Sequence, residues 1–258
     1  MLIPIDYFVR FMLVFFRVGS IFVFVPFFNQ RFIPTRIKIA AGLMLSIVVF
    51  PLLTSEAFIP PADTISLVLA VIREVLIGLV IGFTAQLFFA GVQYAGELIS
   101  AQMGFGLATL IDPSFNEQST VVSQLYNLLA LLIFISLGGH HFFIRATVQT
   151  FEVVPLTGFN FSAELGTYVL QSCANIFLVA FRIGAPVLVA LFMTSLAMGL
   201  INRAIPQMNI FMISPPLQIV TGLMMMLLTL RGTILMFRFI FAQIEKDLQW
   251  LVSYMAGN

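Results

Sequence analysis

Proton exchange, metal ligation and ion pairing are the chemistries open to the ionisable residues of this chain, and their spacing separates the three. Asp112 and Glu117 lie five apart in one polar stretch and could pair as acid and base, while His140 and His141 are adjacent. Neighbouring residues on a helix point about 100° apart, so these two imidazoles could not close on a single metal ion there, and a loop pair is expected. General acid–base work needs groups held within reach of one another. No Gly-x-Ser-x-Gly, phosphate loop or His-Glu-x-x-His accompanies the candidates. The expectation is a protein that is not an enzyme and uses neither metal nor cofactor. The single Cys173 excludes an internal disulfide and a cysteine-built cluster, and its apolar setting reads as a packed thiol.

Ion pairing is the chemistry that spacing favours. Arg17, Arg73, Glu74, Arg182, Arg231 and Arg238 all stand inside apolar runs, where a charge costs roughly 2.5–3.5 kcal/mol or more unless it is paired or wet. Arg10 and Arg17 are seven apart, as are Arg231, Arg238 and Glu245. Seven residues fall within about 20° of two helical turns, so each set forms a stripe. Arg10 and Arg231 can snorkel toward an interface, whereas Arg17 and Arg182 are central and call for partner helices or a water-filled cavity. With Arg203, these residues are the candidate charges for assembly.

The elements that must position them follow from composition. The 258 residues are 60% hydrophobic and 9% charged, with 29 phenylalanines and a mean hydropathy of +1.08, which describes an integral membrane protein. Twelve Lys and Arg nearly cancel 11 Asp and Glu, so nothing points to nucleic acid. Apolar runs cover residues 11–28, 37–53, 67–92, 121–137, 168–201 and 208 to about 241. A span needs about 20 apolar residues, so the two longest runs must be tilted, broken or folded back, and six segments could hide eight helices. Pro186, Pro215, Pro216, Gly78 and Gly82 interrupt them, predicting kinked or re-entrant helices whose freed carbonyls find partners within protein. Connections are expected at 29–36, 54–64, 104–120, 138–164 and 202–207. No compositional break divides the chain, which reads as one membrane unit over 1–258. The first run lacks a small-x-small cleavage pattern and Arg17 interrupts it, predicting a retained helix. Arg31, Arg36 and Lys38 would place their loop in the cytoplasm, with Glu56 and Asp63 opposite.

One helix face stands out. Gln86, Gln93, Glu97 and Ser100 lie at offsets 0, 7, 11 and 14, between Gly82 and Gly104. Helix packing through Gly78-x-x-x-Gly82 with interhelical amide hydrogen bonds is one reading, and an aqueous path is the other. The face leads directly into Gly104, Gly106, Asp112 and Pro113, where glycine permits sharp turns and Asp-Pro favours a turn start. That continuity suits a loop inserted into a lumen. The 13 methionines, Met224, Met225 and Met226 included, read as compliant core filling.

The chain resembles the FliR family of export-gate membrane proteins, whose injectisome branch is called SctT. The carriers are Arg17-Val18 with Pro26, Arg31-x-Ile33-Pro34-x-Arg36, Gly96-Glu97 leading to Gln102-Met103-Gly104, Ala108-Thr109 with Asp112-Pro113, residues 127–134, Gly139-His140, and Gly199-Leu200-Ile201-Asn202-Arg203-x-x-Pro206-Gln207-x-x-Ile210-Phe211. Ser214-Pro215-Pro216 stands where the family more often has a Gly-Phe-Pro-like turn. The resemblance implies an all-α fold of bent helical hairpins, a FliP-like portion over about 1–160 and a FliQ-like portion over 161–258. It implies a subunit of a helical pore, built with FliP and FliQ, that secretes unfolded flagellar proteins. FlhB would wrap its cytoplasmic entrance, and FlhA, the secreted polypeptides and membrane lipid would be further partners. The place implied is the bacterial inner membrane at the flagellar basal body, partly projecting to the periplasmic side. A cytoplasmic C-terminus is also implied, which with six simple spans conflicts with the charge-based orientation.

The family's plug maps onto residues 104–120. Gly104 and Gly106 would act as hinges and Leu107, Leu110 and Ile111 as apolar contacts, with Phe105, Asp112, Pro113 and Phe115 in the same pore loop. An injectisome gate is the alternative within the family. A secondary transporter is the alternative outside it, and would carry inverted repeats and a midplane ligand site that the sequence does not display.

Overall fold

A computed structural model describes residues 5–25, 33–53, 60–105, 120–159, 163–207 and 209–255, and in these the regular structure is helical. The helices are α1 (Ile5–Phe24), α2 (Thr35–Val49) continued by a 3-10 turn (Phe50–Leu53), α3 (Thr64–Gln102), α4 (Val121–Ser136), α5 (Gly139–Val153), α6 (Ala163–Ala204) and α7 (Ile210–Met255). Five helices are long and apolar enough to cross a membrane, counting α2 with its 3-10 turn, and the bent pair α4 and α5 makes a sixth candidate span.

Three differences from the sequence reading have physical causes. The connection expected at 138–164 contains α5, so His140 and His141 occupy a first helical turn rather than a loop, with ring centroids 4.0 Å apart. Its buried residues Phe143, Ala146, Thr147, Thr150 and Phe151 repeat at helical spacing, but Arg145, Gln149 and Glu152 dilute its hydropathy. Left-handed Gly138, at φ +72°, separates α5 from α4. Secondly, α6 and α7 run unbroken through Pro186 and through Pro215 and Pro216, 42 and 46 residues long. At 1.5 Å per residue these are about 63 and 69 Å, twice a bilayer core of about 30 Å. They are neither broken nor folded back, and Ser214-Pro215-Pro216 is helical rather than a turn. Finally, α2 starts directly after Pro34, which is tolerated at a helix entrance because its missing N–H is not needed there. Arg36 and Lys38 therefore belong to its first turn and not to the preceding loop.

The chain divides into two compact units. The first comprises residues 1–87, 138–173 and 242–258. Its core joins Val14, Val18 and Phe22 of α1 to Val49, Leu53 and Phe151. In the same unit Gly78 and Gly82 of α3 meet α1: a Cβ on Gly82 would stand 2.8 Å from the Phe24 carbonyl carbon. The Gly-x-x-x-Gly pattern thus serves helix packing through close backbone approach.

The second unit comprises residues 88–137 and 174–241. An aromatic chain runs through it, from Phe88 to Phe237 at 6.2 Å and from Phe89 through Phe134 to Phe241 at 5.7 and 5.4 Å, all edge-to-face. Val92, Ala95 and Ile99 of α3, Met103 directly after it, and Ala180, Ile183, Val187 and Leu191 of α6 are fully or nearly fully buried. Glycine again sets helix spacing: a Cβ on Gly96 would stand 2.9 Å from the Ser123 nitrogen, and one on Gly222 2.8 Å from the Met103 side chain.

Candidate functional site

The polar face of α3 ends in a defined stop. Phe105 N–H donates to the Ser100 carbonyl at 3.2 Å and Gly104 N–H to the Ala101 carbonyl at 3.1 Å, the paired 6→1 and 5→2 bonds of a Schellman motif. Gly104 occupies the left-handed position at φ +87°. A Cβ there would lie 3.6 Å from Pro215 Cβ and 3.8 Å from Gln218 Oε1, an ordinary contact, so the need for glycine is conformational and not steric. Gly104→Ala is therefore expected to cost about 1–2 kcal/mol. Hydrogen exchange should show faster opening of the amides of residues 100–105, with α1 and α2 unaffected.

Against this stop lies the N-terminal part of α7. Pro215 and Gln218 face Gly104, and Gln218 Nε2 donates to Ser195 Oγ of α6 at 3.0 Å. On the far side of the 106–119 segment, Thr120 caps α4 by accepting from Ser123 N–H at 3.3 Å, beside Gly96. The described residues on either side, Phe105 and Thr120, thus flank helices in close contact at Gly96 and Ser123. Of the predicted pore-loop residues, Gly104 and Phe105 are placed here, whereas Gly106, Leu107, Leu110, Ile111, Asp112, Pro113 and Phe115 lie outside the described residues. Along the face, Gln86 is exposed, and Gln93 and Glu97 are half-buried and joined by an Nε2 to Oε1 bond of 3.0 Å. Ser100 is fully buried, with its hydroxyl unpartnered among the described residues.

The predicted charges separate into two groups. Arg17 and Glu74, both wholly buried, form an ion pair through Nε and Oε2. Arg17 Nη1 also donates to the carbonyls of Thr150 at 3.1 Å and Val154 at 2.9 Å, and Nη2 to that of Pro155 at 3.4 Å. These carbonyls end α5 or follow it, where a cation is favourable; Thr150 and Pro155 also accept from the N–H groups of Val154 and Gly158, both at 2.9 Å. The guanidinium carbon also sits 4.3 Å from the Phe151 ring centroid. Glu74 uses its other oxygen to accept from Thr157 N–H at 2.8 Å, and exposed Arg73 donates to the Thr157 carbonyl at 3.0 Å. Thr157 holds a left-handed φ of 67°, a conformation that costs a non-glycine residue energy and needs surrounding contacts to persist. Sequence reasoning identified both members of the pair without joining them. The turn residues 154–157 were missed, and Pro155-x-x-Gly158 was their visible signal.

Arg182, Arg203, Arg231 and Arg238 form the second group, exposed on the surface of the chain. The described residues contain no group of three or more His, Cys, Asp or Glu arranged for a metal ion.

The profile of the bacterial export proteins, family 1, matches residues 8–244. The chain belongs to that family. This export protein is 32% identical to the flagellar biosynthetic protein FliR of Bacillus subtilis over 96% of both chains. It is 33% identical to FliR of Escherichia coli K12 over 81% of this chain and 80% of the relative, and 33% identical to FliR of Caulobacter vibrioides over 85% and 88%. Family membership and the apolar helices make it an integral membrane component of flagellar protein export and not an enzyme.

Proposed function

We propose that this export protein is a core subunit of the flagellar export gate, forming with FliP and FliQ the pore through which unfolded flagellar proteins leave the cell. Residues 104–120 are the closure of that pore. The observation that supports this reading is the footing of the segment: the Schellman stop at Gly104 and the Thr120 cap lie on α3 and α4, which approach closely where Gly96 meets Ser123. A closure must yield to an arriving polypeptide without unfolding its support, and a tethered segment between firmly packed helices can do so. On this reading FlhB surrounds the cytoplasmic entrance, and FlhA and the secreted flagellar polypeptides are further partners. The gate stands in the inner membrane at the basal body and projects in part toward the periplasm, with 1–160 the FliP-like and 161–258 the FliQ-like portion.

Deleting residues 106–115 tests this. In gates assembled with FliP and FliQ and reconstituted into planar bilayers, the deletion should raise ion conductance in the absence of substrate. Unchanged conductance in a fully assembled complex would overturn the assignment.

A further inference from the structure

The face of α6 centred on Arg182 combines two unmet demands. Ala180, Ile183, Val187 and Leu191 are buried at 2% exposure or less, which fixes the rotation of the helix and turns Arg182 outward. Around Arg182 the outward residues are apolar, with Leu178, Phe181 and Val189 exposed by 54–56%. Among the described residues Arg182 has neither a hydrogen-bond nor an ion-pair partner. The second demand comes from Pro186, which lies inside the helix. It has no N–H, so the carbonyl of Arg182, four residues earlier, loses its regular helical donor. One position therefore offers an unpaired cation and an under-served carbonyl on an apolar face, and in a water-poor setting each is costly.

We infer that this face is a subunit interface whose occupant is a helix of another gate chain, carrying an aspartate or glutamate level with Arg182 and a hydroxyl or amide donor beside it. A lipid phosphate can neutralise the guanidinium, but its oxygens only accept, so the carbonyl would need a separate donor held at the same level, which a helix side chain supplies in fixed geometry. Asn175, exposed and seven residues before Arg182, continues the polar line about 10 Å along the axis. A line parallel to the axis suits a neighbouring helix. The apolar flanks supply contact area, and the buried pair supplies register, as polar groups at apolar helix interfaces do. The inference rests on the gate reading above.

The test is co-purification of the complex from membranes in mild detergent. Arg182→Glu places two like charges together and should lower the yield of co-purified partner chains at least tenfold, with the variant's own membrane level unchanged, while Arg182→Lys keeps most of the yield. A library of partner variants should then return an acidic-to-basic substitution that restores the Arg182→Glu complex. Wild-type yield from Arg182→Glu overturns the inference. So does a lost complex that no such substitution restores and whose yield follows anionic lipid content, which assigns the guanidinium to a phosphate. A wild-type chain that purifies alone removes the gate reading itself, so the two failures are distinct.

Discussion

Glu74→Leu is expected to destabilise the folded chain by about 3–5 kcal/mol, the range for removing one member of a buried ion pair. The substitution leaves the Arg17 guanidinium wholly buried without its counter-charge and strips Thr157 N–H of its acceptor. Arg17→Leu should also be severe, for a different reason: Glu74 is left buried without its counter-charge and the Val154 carbonyl loses its donor, a buried unsatisfied group that costs about 1–3 kcal/mol, whereas the Thr150 and Pro155 carbonyls keep the N–H groups of Val154 and Gly158. The double variant should fall well short of the sum, because neither charge is then stranded. Thermal unfolding in detergent reads these effects, and equal melting temperatures for Glu74→Leu and wild type would contradict them. On the proposed gate reading, Arg17→Leu should also lower the yield of the complex on native gels more than it alters the conductance of the gates that do form.

Gly96→Val has the second large effect. A Cβ at this position meets Ser123 backbone, with the nitrogen at 2.9 Å, and backbone cannot step aside as the end of a side chain can. The α3 and α4 helices must separate, at a cost of about 1–3 kcal/mol or more for overpacking. Gly199 is the internal comparison: it is also helical, but a Cβ there meets nothing within 4 Å, so Gly199→Ala should be neutral or stabilising by up to about 1 kcal/mol. A melting temperature for Gly96→Val as high as that of Gly199→Ala would refute the close-packing account. Because Gly96 sets the approach of α3 to α4, the variant should also impair export, measured as secreted flagellar protein.

The apolar runs were legible in sequence because lipid-compatible helices must be apolar along their whole length. Helix α5 was not, since it is amphipathic and short, and its Gly138-Gly139-His140-His141 start resembles a loop; its Phe143, Ala146, Thr147 and Thr150 periodicity was the available signal. Arg17 could be marked as needing a partner from its position alone, but Glu74 lies 57 residues away and the carbonyls 133 to 138 away. No local pattern encodes such pairings. Proline misled in the other direction. Pro186, Pro215 and Pro216 argue for helix breaks, yet α6 and α7 continue through them, with Pro215 packed against Gly104.

The Arg17 anchor also sets a timetable for biogenesis. Synthesis proceeds at roughly 5–20 residues per second, so the 57 residues that separate Arg17 from Glu74 take about 3–11 s to follow it. The 138 that separate it from Pro155 take about 7–28 s. Until Glu74 is made the first helix carries a cation with none of its final partners, and until the end of α5 follows it has Glu74 alone, so a nascent chain must shelter it in the insertion machinery or in water. The last ligands to arrive are also those that end α5, so α1 becomes committed to its place only after more than half of the chain has been made.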